Sequence, residues 1–267
     1  MSVVYAYRRD TMENTAGLAD LHQVFMDCGL QCLHPGGPEK TDQMLQKCGI
    51  NENKKVLEVG CGKGVTALYI AEKYGCSVTA TDPSQDMIAE ARIRGKAHGL
   101  HDKLHFIRTD ADPLPFPDES YDIIIAECVT TLMNTEKTFR EIFRVLTKGG
   151  KFGGIELIWK QKPPLKVIRG IADLWDGFHT YTEAEWRSLL ENSGFTQNKV
   201  TVFPMPLSEM ESRTIGRLGP SGIMKLSYKL MTNPPLRRAM YAYWRVFPGL
   251  RGRFRLCLPL PQKKTLT

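Results

Sequence analysis

Nine residues restrict the fold of this chain more than any others: Val56-Leu57-Glu58-Val59-Gly60-Cys61-Gly62-Lys63-Gly64. An apolar strand pattern runs into a glycine-rich turn, and a helical pattern opens directly after it. In doubly wound α/β folds, ligands bind over such turns, at the carboxyl ends of the strands. Glycine there permits unusual φ and a close approach of backbone to ligand. The spacing separates ligand classes. A dinucleotide fold uses G-x-G-x-x-G to seat a pyrophosphate at a helix N-terminus. Here the pattern is G-x-G-x-G, with Glu58 two residues before the first glycine. A carboxylate repels a pyrophosphate and attracts a sulfonium or an ammonium. The loop therefore suits a cationic cofactor. Lys63 is out of register for a Walker-A phosphate loop. A tight strand-to-helix turn without a ligand would use the same glycines, so the neighbouring strand ends must decide.

Short apolar runs alternate with helical patterns from residue 54 to 200. The strands are expected at 55–59, 77–81, 104–109, 121–127, 150–158 and 198–203, and the helices at 65–74, 84–98, 135–146 and 182–193. Gly75, Gly99, Gly149 and Gly194 stand where helices should stop. Thr182 and Glu185 form a capping box. Such alternation implies βαβ units and a mostly parallel sheet with right-handed crossovers. A final apolar run at about 254–260 is expected to be a strand, with Pro259 favouring an edge position or a short strand.

Acids recur at the strand ends. Asp82 lies 22 residues after Gly60, the separation at which a carboxylate binds both ribose hydroxyls. Ser84 already offers the helix N-cap, which leaves Asp82 for a ligand. Asp110 can accept from an adenine amino group and the Ala111 N–H can donate to the ring, or the pair forms a plain polar turn. Glu127 ends the fourth strand and either positions a substrate or only holds the loop that follows.

Together these residues resemble the class I S-adenosylmethionine-dependent methyltransferases, over about residues 40–205. The resemblance rests on Glu58 to Gly64, Asp82, Asp110-Ala111, the run Leu114-Pro115-Phe116-Pro117-Asp118-Glu119-Ser120-Tyr121-Asp122, and Arg140 to Gly150. The subgroup it looks most like holds the ubiquinone/menaquinone C-methyltransferases and many small-molecule and lipid methyltransferases. The resemblance implies a seven-stranded, doubly wound, Rossmann-like sheet whose last strand is antiparallel and inserted beside the sixth. It also implies S-adenosyl-L-methionine as cofactor. Gly60, Cys61, Gly62 and Gly64 would then bed the methionine part, with Glu58 toward its ammonium. Asp82 would take the ribose, and Pro83, Ser84 and Met87 would flank the adenosine. Asp110 and Ala111 would hold the adenine, and Glu127 would close the set.

The domain reading is a single unit of 1–267: a core of about 40–205, a helical N-terminal cap at 1–39, a basic helical insertion at about 206–252, and the last strand. The chain carries a net charge of +7, unevenly spread. From Met205 onward, twelve Lys and Arg face only Glu209 and Glu211, giving +10 and leaving −3 elsewhere. Leu236, Met240, Tyr243, Trp244 and Phe247 share a helical face, with Arg237, Arg238 and Arg245 roughly opposite. That helix either covers the active site or meets anionic lipid headgroups or an anionic substrate. No nucleic-acid-binding module accompanies the charge.

Seven cysteines include no C-x-x-C pair, which points to buried thiols and no metal site. No apolar stretch approaches the ~20 residues of a membrane span, and the N-terminus lacks a signal-peptide core. A cytoplasmic protein, with peripheral membrane contact as an option, is the expectation. Methyl transfer from a sulfonium is an in-line displacement that needs alignment and a dry pocket more than acid–base help. Candidate bases are His179, His34 and Glu127; the alternative for His179 is a surface or packing histidine, and for His34 a turn before the first core helix. The acceptor is expected to be small or lipid-like. A non-catalytic S-adenosylmethionine-binding protein and an NAD(P)-dependent oxidoreductase are the alternatives.

Overall fold

The computed structural model describes residues 24, 28, 36–174, 179–204, 207–246 and 254–263. His34, Cys32, Trp175, Phe178, Phe247 and nearly all of the 1–39 cap lie outside them. The elements run α1 (Gly37–Cys48), β1 (Val56–Val59), α2 (Val65–Tyr74), β2 (Val78–Asp82), α3 (Gln85–Ala97), β3 (Leu104–Arg108) and β4 (Tyr121–Glu127). A 3₁₀ turn at Thr130–Leu132 precedes α4 (Thr135–Val145), β5 (Leu146–Trp159) and α5 (Leu165–Leu174). Then follow α6 (Glu183–Asn192), β6 (Thr196–Pro204), α7 (Leu207–Thr232), α8 (Pro234–Val246) and β7 (Phe254–Gln262).

The seven strands form one sheet in the order β3-β2-β1-β4-β5-β7-β6. All pairs are parallel except those of β7, which runs antiparallel between β5 and β6. The expected doubly wound seven-stranded sheet, with a helical insertion before its last strand, is therefore present. The order reverses between β1 and β4, the position at which such sheets open a ligand crevice.

Alternation along the strands splits the core into two faces. Val56, Val78, Ile123, Ile125 and Ile155 pack with α1, α2 and α3 residues such as Met44, Leu45, Ile70 and Ile88. Leu57, Val59, Ile124, Ala126, Phe152 and Ile158 pack with α4 and α6 through Phe139, Ile142, Trp186 and Leu190. Strands covered on both faces read as continuous apolar runs, which is why β1 and β4 carry so few polar residues. Each fully buried aliphatic contributes about 1.5–3 kcal/mol.

Several expectations need correction. Gly149 stops no helix. α4 ends at Val145, and Leu146 is already extended, because β5 starts there and pairs with Tyr121. Gly149 instead holds φ 76° inside that early stretch. Pro259 marks neither an edge nor a short strand, since β7 is internal and nine residues long. Its ladder to β5 runs from Phe254–Trp159 to Cys257–Glu156 and resumes at Gln262–Lys151. Pro259 falls in the gap, where a missing N–H costs no ladder bond. A Cβ on Gly154 would come within 2.9 Å of the Pro259 ring, so glycine there makes room for it. The capping box at Thr182–Glu185 is present as expected, and Ser84 caps α3 by accepting the Met87 N–H.

Candidate functional site

The cleft opens at the carboxyl ends of β1, β2 and β3. Its walls are Val59, Gly60, Thr81, Pro83, Thr109, Asp110, Ala111 and Met133. Four residues singled out from sequence meet there: Gly60, Pro83, Asp110 and Ala111. Val59, Thr81, Thr109 and Met133 complete it. Sequence reasoning passed over Thr81 and Thr109 because a threonine in a strand reads as filler. Met133 arrives from the turn after β4, far from the other residues in sequence.

The glycine loop is stitched to the end of β2. Gly60 and Cys61 donate their N–H groups to the Thr81 carbonyl at 2.8 and 2.9 Å. Gly62 donates to Asp82 Oδ2 at 2.9 Å, and Ser84 donates to Oδ1 at 2.9 Å. Asp82 was expected to be left for a ligand by the Ser84 cap. Instead each of its oxygens already accepts one backbone N–H. A carboxylate oxygen has two lone-pair sites, so one remains on each. Burial raises the Asp82 pKa against those two hydrogen bonds.

The three glycines do different work. Gly60, φ 75°, would clash with Val129 if it carried a Cβ. Gly64, φ 73°, would drive a Cβ into the Phe106 ring and Ala91, so packing between α2 and its neighbours requires it. Gly62, φ 50°, would project a Cβ into open space. Cys61 is buried among apolar residues, and burial next to Glu58 and Asp82 pushes its thiol pKa up. It is an inert core thiol. Cys28, Cys48, Cys76 and Cys257 are likewise buried and Cys128 is half-buried, all outside disulfides.

Glu58 is 4% exposed and shares the sheet face of Val56, turned toward α1 and α2. Glu127, in the next strand on that face, accepts from Thr41 Oγ1 at 2.6 Å and Thr66 Oγ1 at 2.7 Å. It thereby ties α1 and α2 to β4. Between positioning a substrate and holding the fourth-strand loop, the sequence left Glu127 open. The geometry adds a third task, the joining of two helices. Ser84 and Met87 belong to the start of α3, while Asp110 is exposed at the rim of the cleft.

The turn after β4 hangs on a residue that sequence reasoning missed. Glu156, on β5, is fully buried; its Oε1 accepts the N–H and the hydroxyl of Thr130 at 2.9 and 2.5 Å, and its Oε2 accepts the Thr131 hydroxyl at 3.3 Å. Burial pushes its pKa to about 7, against those hydrogen bonds. The same turn carries Val129, which packs on Gly60, and Met133, which walls the cleft. His179 joins this group: its N–H donates to the Thr131 carbonyl at 3.2 Å, and its Nε2 lies 3.2 Å from Thr135 Oγ1. The Tyr181 ring meets it edge to face at 5.5 Å. Arg144 clamps the Leu114–Asp118 run. It donates to the carbonyls of Leu114 and Phe116 and pairs with Asp118 and Glu141.

This arrangement finds its counterpart in known proteins. A model of a methyltransferase domain matches residues 56–150. An uncharacterized protein of Haemophilus influenzae is 32% identical over 178 residues, covering 65% of this chain and 71% of that one. The chain belongs to the class I S-adenosylmethionine-dependent methyltransferase superfamily. The sterol 24-C-methyltransferase erg6 of Aspergillus fumigatus is 32% identical over 159 residues, 57% of this chain and 42% of that protein. The chain thus spans less than half of that sterol enzyme. The solved structure of a Haemonchus contortus phosphoethanolamine N-methyltransferase, in complex with phosphomonomethylethanolamine and S-adenosylhomocysteine, shares the fold. Its TM-score is 0.76 at 17% identity, over 92% of this chain and 57% of that one.

The residues of this methyltransferase fit its cofactor. Pro83, Ala111 and Met133 give the cleft apolar walls for a base. Asp82 and Asp110 bring acceptors for hydroxyls and an amine. Gly62 leaves open space above the loop that follows Glu58. Among the described residues no cluster of His, Cys, Asp or Glu can hold a metal ion.

Proposed function

We propose that this methyltransferase passes a methyl group to a small-molecule or lipid-like acceptor, and that Gly60, Gly62, Asp82, Pro83, Asp110 and Ala111 hold S-adenosylmethionine. The observation that carries the reading is the cleft at the ends of β1 to β3, where mixed apolar and acidic walls match an adenosine. When bound, the cofactor supplies a methyl group on a cationic sulfur. Asp82 keeps one lone-pair site per oxygen for the ribose while its other sites fix the loop. Asp110 accepts from the exocyclic amine, and Ala111 donates its N–H to the ring. Glu58, Glu127 and Asp82 give this end of the sheet a negative field that favours a cation.

The chain's own work is alignment and exclusion of water. Oriented reactants gain about 7–11 kcal/mol over a bimolecular encounter in water. Glu156 and His179 act on that geometry at one remove, by holding the turn that carries Val129 and Met133. A lipid-like acceptor is favoured by the likeness to a sterol methyltransferase, which is 32% identical over 159 residues.

Calorimetry with S-adenosylhomocysteine tests the site. The native chain should bind it, and Asp110→Ala should weaken binding about tenfold, the worth of one hydrogen bond to a charged group. Tight binding of a nicotinamide dinucleotide in its place sinks the cofactor assignment. Incubation with methyl-labelled cofactor and separate extracts of polar metabolites and neutral lipids tests the acceptor. Label in neither pool, despite cofactor binding, would favour a binding protein over an enzyme.

A further inference from the structure

The basic insertion presents a surface that the cofactor cleft does not use. α7 bends at Gly219, φ 64° and ψ 176°, followed by Pro220. Beyond the bend, Gly222 and Leu226 face Cys28 and Val24 of the N-terminal region, together with Leu218. On the reverse of that packed side lie Met224, Tyr228 and Met231, which are 70%, 68% and 77% exposed. Steps of four and three residues put them on one stripe of the helix. Scattered apolar side chains are ordinary on a protein surface, but an aligned stripe marks a contact surface.

Cations frame the stripe. Lys225 is exposed beside Met224. At the head of α8, Arg237 donates to the carbonyls of Leu230 and Met231 at 3.3 and 3.4 Å, which fixes a guanidinium next to Met231. Tyr241, 71% exposed, shares the outer face of α8 with Arg237 and Arg238, opposite the buried Leu236. The sequence contains no Asp or Glu after Glu211, while twelve Lys and Arg follow it.

That charge selects the occupant. A second copy of the chain would bring two cationic faces together, and like charges so placed cost energy. A nucleic acid would satisfy the cations but leave methionines in water. The boundary of an anionic bilayer satisfies both, since phosphates meet Lys and Arg while Met and Tyr enter the acyl border. None of the described helices is long and apolar enough to cross a membrane, so the contact lies along the surface. We propose that the second half of α7 and the start of α8 dock this protein on an anionic lipid surface through Met224, Tyr228, Met231 and Tyr241, framed by Lys225, Arg237 and Arg238. The proposal stands apart from the identity of the acceptor, because docking needs no turnover.

Co-sedimentation of the full chain with vesicles tests it, using phosphatidylcholine alone against equal parts of phosphatidylcholine and phosphatidylglycerol. The native chain should bind only the anionic vesicles, less so as salt rises. Lys225→Gln, Arg237→Gln and Arg238→Gln together should weaken binding about a hundredfold, at roughly fivefold per charge. Met224→Ser, Tyr228→Ser and Met231→Ser together should also weaken it, with salt dependence kept. Both variants should retain native affinity for S-adenosylhomocysteine, which shows that they fold. Native-like vesicle binding by both variants overturns the proposal. So does a native chain that ignores vesicles while it binds single-stranded RNA, or while it self-associates through the methionine stripe.

Discussion

Glu156 concentrates the energetics of the site in one side chain. Its carboxyl accepts from Thr130 and Thr131, and its pKa rises from the ordinary 4.5 to about 7 because burial penalises the charged form. A carboxyl raised in the fold contributes stability that is full below about pH 4.5 and lost as pH climbs through about 7. Glu156→Gln removes the titration yet keeps an acceptor for the Thr130 N–H. Chemical denaturation should therefore show the native chain losing stability between about pH 4.5 and 7 relative to this variant. Parallel curves would refute the account. Glu156→Ala strands the Thr130 N–H and leaves a cavity, at a cost of about 3 kcal/mol. Nothing in the sequence flags Glu156, because its role exists only through the meeting of β5 with a turn 26 residues earlier. Asp82 was legible as a strand-end acid 22 residues past Gly60. Its double duty as the anchor of the Gly62 N–H was not, since that depends on how the loop folds back.

At the scale of elements, the β1–loop–α2 unit separates ligand from packing. Spacing alone made its glycines one motif, whereas the direction of the absent Cβ splits them. Gly64→Ala meets the Phe106 ring at 2.8 Å and Ala91 at 2.9 Å in a left-handed conformation. Backbone strain of about 1 kcal/mol and overpacking of about 1–3 kcal/mol add to a loss of roughly 2–4 kcal/mol. Gly62→Ala bears only the backbone strain, about 1 kcal/mol, because its Cβ enters open space. In thermal melts Gly64→Ala should fall far below Gly62→Ala. In S-adenosylhomocysteine titrations Gly62→Ala should be the weaker binder. Equal melting points would show that α2 does not rely on Gly64. Helix and strand positions were legible wherever periodicity and caps agree, as at Thr182 and Ser84. They were misread where tertiary pairing overrides local signals. β5 begins at Leu146 because Tyr121 pairs with it, ahead of the Gly149 that looked like a helix stop. β7 tolerates Pro259 because Gly154 yields space, a compensation 105 residues away.

Across the whole molecule, the N-terminal region meets the basic insertion. Val24 and Cys28 pack against Leu218 and Leu226 of α7, and the Cys28 carbonyl lies directly over Gly222. A Cβ at Gly222 would strike that carbonyl, a backbone atom that cannot rotate aside. Gly222→Ala must then lift the N-terminal segment from α7 or shift the helix, while the helix itself gains propensity. The cofactor cleft at β1 to β3 shares no residue with this contact. Limited trypsin digestion of Gly222→Ala should therefore cut the N-terminal region faster than in the native chain, with affinity for S-adenosylhomocysteine preserved. Unchanged digestion would mean that Gly222 is dispensable at this seam. Loss of cofactor affinity would mean instead that the seam and the cleft form one cooperative unit.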